Sequence, residues 1–120
     1  MLILSACQIP EGPGGLATIK GKIYVKEYND EFNVLLGEYY GGEEEVYIVY
    51  GDDDVYSESM DTHYDGAFQF EYLRKGNYKI FVYSRDSLNP FSPMDTVVIR
   101  EVEITSKRET VDLGDVLILK

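Results

Sequence analysis

The sequence is poor in cysteine and histidine, the sources of thiolate and imidazole chemistry. One cysteine in 120 residues excludes an internal disulfide framework, and one histidine leaves few ways to build an imidazole metal site or an acid–base pair. Tryptophan is absent. No stretch approaches the roughly 18 consecutive apolar residues that a membrane-spanning helix needs. Basic residues are scarce too: Lys+Arg 11 against Asp+Glu 22 gives a formal charge of -11, which repels phosphate backbones and argues against nucleic acid as a partner. A sustained apolar period of 3.6 is missing from residue 16 onward, which argues against helices.

What is present favours strands. The chain is the size of one domain, 44% hydrophobic, with Tyr 11 and Phe 5. Residues 18–26 alternate Ile19, Ile23 and Val25 on one face with Lys20, Lys22, Tyr24 and Lys26 on the other, the pattern of a strand with one face in the core. A long polar and aromatic connection, residues 27–45, leads to a β-branched and aromatic run at 46–50 and a turn at Gly51-Asp-Asp-Asp54. Residues 55–62 read as a polar edge strand. Asp65-Gly66 favours a tight hairpin from it into residues 67–72, with Phe68 and Phe70 facing the core. Residues 78–83 read as a central strand, with Tyr78, Ile80 and Val82 on one face and Phe81 and Tyr83 on the other. Leu73, Gly76 and Tyr78 are spaced like a tyrosine corner, in which the phenol caps nearby backbone. Prolines make residues 84–95 a loop, and two more strands follow at 96–104 and 110–119. The expectation is an all-β, antiparallel Greek-key sandwich of about seven strands.

Thr62, Asp65-Gly66, Phe68, Leu73, Gly76 and Tyr78, with alternating hydrophobics through Val82, form a pattern that resembles the transthyretin-like, carboxypeptidase-regulatory-like domains. Ile19-Lys-Gly-Lys-Ile-Tyr-Val25 is similar to the opening Gly-x-Val strand of that family. The resemblance implies a prealbumin-like sandwich acting as a non-catalytic accessory or adhesion-type module. At the start of the chain, Leu4-Ser5-Ala6-Cys7 resembles the lipobox of bacterial lipoproteins, where signal peptidase cuts before a cysteine that then carries diacylglycerol. That resemblance implies a truncated signal peptide at 1–7 behind a late start codon and lipidation on Cys7, with the protein lipid-anchored on the periplasmic or cell-surface face of an envelope membrane; the prolines and glycines that follow make a flexible linker the expectation at 8–16, before a sandwich at 17–120.

Asp52, Asp53 and Asp54 supply oxygens suited to Ca²⁺, yet adjacent carboxylates on an extended chain point to alternate sides, so a solvated turn and no metal is expected. His63 has no recognisable catalytic partner in sequence, and no serine or cysteine sits in a nucleophile context. An enzyme is therefore not expected, nor any cofactor; a small hydrolase is the distant alternative. Two apolar loops stand out, one with Phe32, Leu35, Leu36, Tyr39 and Tyr40, the other with Leu88, Phe91 and Met94. They serve either to close the core or to bind a protein or glycan partner. The leading expectation is an envelope-anchored binding or accessory module. The runner-up is a structural subunit that pairs through an exposed edge strand.

Overall fold

Alternation of inward and outward side chains becomes eight β-strands in the computed structural model, which describes residues 11–53, 55–86 and 96–120. They are β1 (Pro13–Tyr28), β2 (Leu35–Tyr40), β3 (Glu45–Tyr50), β4 (Glu58–Asp61), β5 (Ala67–Leu73), β6 (Gly76–Ser84), β7 (Thr96–Ile104) and β8 (Thr110–Leu119). Two four-stranded sheets face each other. In the first, β1 carries β8 along one side, while β5 and β2 follow one another along its other side. The second has the order β4-β3-β6-β7. Every pairing is antiparallel except β1 with β8, which run parallel.

The core lies between the sheets. Ile19, Ile23, Val25, Phe68, Phe70, Ile80 and Val82, expected inside from their alternation, are all buried. Val46, Ile48, Val102, Ile104, Val116 and Ile118 join them from the remaining long strands. Tyr78 reaches through this core to hold backbone at its far side. Its hydroxyl donates to the Arg74 carbonyl at 2.7 Å and accepts the Gly12 amide at 2.9 Å, the expected tyrosine corner with a second backbone strap.

Three readings of the sequence change. The linker expected at 8–16 gives way to strand from Pro13, because the Arg74 amide donates to the Gly12 carbonyl and a side chain at Gly15 would sit 2.0 Å from the Leu73 carbonyl. Glycine there allows the two backbones to pack directly, which made a tether-like composition into an ordered strand. The connection at 27–45 contains β2, paired with β1 from Tyr24↔Tyr40 to Tyr28↔Leu35. The Asp65-Gly66 turn forms as its chemistry dictates: Gly66, at φ +82°, donates to the His63 carbonyl, and the Ala67 amide donates to Asp65 Oδ1. Its flanking strands, however, do not pair. Thr62 is buried with its hydroxyl donating to the Gly41 carbonyl and accepting the Glu44 amide, which ties this end of the chain beside β3, while β5 crosses to β1. The turn is a passage between sheets.

Tyr78→Phe is expected to destabilise the protein by about 1–3 kcal/mol, since it leaves the buried Gly12 amide without an acceptor. Tyr64→Phe, at a position 93% exposed, should fall within about 0.5 kcal/mol of the parent. Urea midpoints at unchanged slope would measure both; equal midpoints for the two variants would contradict the corner's role.

Candidate functional site

Among the described residues, the apolar ones singled out from sequence lie in the turn before β2 and on β2 itself. Phe32 lies in the 29–34 turn between β1 and β2, with the Arg85 guanidinium 4.0 Å above its ring and Tyr28 beside it at 5.2 Å. Arg85 also donates to the carbonyls of Asn29 and Asp30, so this turn is strapped onto the end of β6. Leu35, Tyr39 and Tyr40 sit on β2 rather than on a loop. The Tyr39 hydroxyl donates to Glu27 at 2.9 Å. Tyr40 packs edge-on to Tyr24 at 5.1 Å and donates to Asp115 at 3.0 Å, under the Lys22 ammonium. These contacts use Phe32 and the tyrosines to fasten the first sheet's edge. Cys7, Asp54, Leu88, Phe91 and Met94 lie outside the described residues.

A different surface gathers aromatic side chains. On the outer face of the second sheet, Tyr47 on β3 stands directly opposite Phe81 on β6, and Phe81 opposite Ile99 on β7. One register step away, Tyr83 faces Val97. Tyr47 and Phe81 are stacked, with centroids 4.7 Å apart and planes 9° from parallel. Tyr56, from the segment before β4, meets Tyr47 edge-on at 4.8 Å, and Tyr83 meets it at 5.6 Å. The stacked pair occupy one another's ring faces, so they act as a brace. Tyr56 and Tyr83, 51% and 49% exposed, are the rings left to solvent, beside Ile99 at 50%. A shallow depression of about 330 Å³ opens over Phe81, Tyr83, Val97 and Ile99, with Asp53 and Lys79 on its rim. A second, of about 340 Å³, shares Lys79 and continues toward Asp52, Glu101 and Glu103.

Electrostatics shape the brace. The Tyr47 hydroxyl donates to Glu45 at 2.7 Å, and this carboxylate, with some burial, pushes the phenol up to about 12. Glu45 also accepts the Ser59 hydroxyl at 3.0 Å. Among the described residues no group of three or more His, Cys, Asp or Glu is placed to hold a metal ion. His63 lies exposed in the turn between β4 and β5. The outer side of β4 pairs with no strand among the described residues, and its four residues include Glu58 and Asp61, charges that discourage strand addition.

This face was readable in part. Phe81 and Tyr83 show in sequence as the non-core side of a central strand, and Tyr47 with Val49 and Val97 with Ile99 repeat the pattern. Three strands with apolar residues on both faces are the signal.

Because Glu45 stabilises the neutral phenol of Tyr47, its raised folded value contributes stability that is complete below pH 10.0, the ordinary tyrosine value, and is lost as pH rises through about 12. Glu45→Gln should bring the Tyr47 titration back toward the ordinary range, seen as earlier phenolate absorbance in an alkaline titration. An unchanged curve would contradict the contact.

No family model matches the chain, and no curated protein matches its sequence. Among solved structures it is similar to one described as "a putative carbohydrate binding protein" from Pseudomonas aeruginosa, with a TM-score of 0.50 at 15% identity over 91% of each chain. It is also similar to part of a 9R-lipoxygenase from Cyanothece, at TM-score 0.39 and 17% identity, covering 87% of this chain and 16% of that one. The likeness to the Pseudomonas protein is one of fold and extends over nearly the whole of both chains.

Proposed function

We propose that the protein is a non-catalytic binding module whose ligand is a glycan, held on the outer face of the β4-β3-β6-β7 sheet. The observation that carries this reading is the pair of half-exposed rings, Tyr56 and Tyr83, set edge-on against the stacked Tyr47–Phe81 brace. A pyranose ring has an apolar face of C–H groups, which packs on such rings, and a rim of hydroxyls, which pair with polar groups such as Asp53 and Lys79 on the rim of the depression. The description of the Pseudomonas structure as "a putative carbohydrate binding protein" supports the same reading. A second copy of the chain is the rival occupant of an apolar face, and a charge of -11 on each copy opposes it.

In the same proposal the module belongs to the transthyretin-like class suggested by the Thr62 to Val82 pattern and works at a bacterial envelope, anchored by lipid on Cys7. Four residues separate Cys7 from Gly12, which is strapped to Tyr78, so the sandwich would ride close to the bilayer. Several acyl chains are needed for stable attachment, since one gives only marginal binding.

Tyr56→Ala and Tyr83→Ala should each weaken glycan binding by roughly tenfold or more, as loss of an aromatic anchor does, with little change in melting temperature. Affinity electrophoresis through gels cast with soluble polysaccharides would read this. Equal mobility of parent and variants in every gel, or a stable dimer in sedimentation broken by the same substitutions, would overturn the reading. Cys7→Ser in the full precursor should move the protein from the membrane to the soluble fraction; retention on membranes would refute the anchor.

A further inference from the structure

Resting on the glycan-binding reading, we infer that the ligand is a polysaccharide carrying free amino groups, and that chains built from uronates are rejected. The outward positions of the second sheet follow from its register. Glu45 and Asp61 face each other across β3 and β4, while Lys79 faces Glu101 and Asn77 faces Glu103 across β6 and β7. Among the outward positions of these four strands, Lys79 is thus the one cation against four carboxylates. Like charges directly opposite in a ladder are unfavourable, and Glu45 with Asp61 form such a pair. Glu45 is partly engaged by the Tyr47 and Ser59 hydroxyls, contacts that fix the carboxylate in place without cancelling its charge.

The two depressions divide the labour. One offers Phe81, Tyr83 and Ile99, a surface for ring faces; the other, joined to it at Lys79, offers Asp52, Glu101 and Glu103. A sugar ring seated on Tyr83 in a chain running toward Glu103 would carry its substituents from an apolar floor onto a carboxylate-lined one. Ammonium groups are attracted there, hydroxyls are tolerated, and carboxylates meet like charge, reinforced by the field of the whole chain at -11. The same field argues against sulfated chains.

The test compares three hexasaccharides by titration calorimetry on the intact folded protein: de-N-acetylated chitosan, its fully N-acetylated counterpart and oligogalacturonate. The amino form should bind about tenfold tighter than the acetylated one at low salt, the gap narrowing as salt screens the rim. Oligogalacturonate should give no measurable heat. Glu101→Gln combined with Glu103→Gln should erase the amino preference, so that the amino and acetylated chains bind alike; Tyr83→Ala should weaken both equally. If the acetylated chain or the uronate binds as well as the amino chain, the charge inference is overturned and the glycan reading stands. If all three are silent and uncharged glucans and mannans are silent too, the glycan reading itself fails and takes this inference with it.

Discussion

One strand has to satisfy both of its edges along most of its length. β1 runs sixteen residues, from Pro13 to Tyr28, and residues 18–26 pair with β8 on one side while β5 and then β2 occupy the other. Its inward positions, Ala17, Ile19, Ile23 and Val25, are fully buried and form the floor against which the opposite sheet packs. Edge strands of the first sheet are held to the fold through this strand, which thereby joins β8 to the first strand of the fold. Closing contacts so distant in sequence costs loop entropy before burial rewards it, which makes this a slow-folding topology in principle.

The passages between sheets follow from that arrangement. With β1 committed to β5, the chain leaves β4 through the Asp65-Gly66 turn, crosses, and returns at Arg74 to β6. Tyr78 fastens this return from within the core by holding both Arg74 and Gly12. Burial raises the Tyr78 phenol, so it stays neutral and keeps donating to the Arg74 carbonyl well into the alkaline range. The second sheet is thereby held with its outer side free for side chains that the core does not need, and those are the aromatic residues of the proposed site.

Much of the architecture was legible because inward burial imposes a period of two. The core residues of β1, β5 and β6, the central place of β6 and the tyrosine corner all followed from alternation and from glycine and tyrosine spacing. β2 was not legible: Leu35 to Tyr40 is exposed almost throughout and holds its place by ladder bonds to β1, so it leaves no alternation to read. Partner choice was also hidden, since the Asp65-Gly66 turn has the same chemistry whether its strands pair or separate. The parallel β1–β8 pairing joins the two ends of the fold and has no local signature. For the site, Phe32, Tyr39 and Tyr40 hold the first sheet's edge through ring and hydroxyl contacts, whereas Tyr47, Phe81 and Tyr83 become a surface only when β3 and β6 are brought side by side.

The central claim is that recognition belongs to the outer face of the second sheet. Amide and aromatic chemical-shift mapping of the folded protein during titration with a soluble oligosaccharide tests it most directly. The account predicts shifts that cluster at Tyr47, Tyr56, Phe81, Tyr83 and Ile99 and fade toward β1 and β2. Shifts confined to the β1–β2 turn around Phe32, or to the Tyr24–Tyr40 edge, would contradict it.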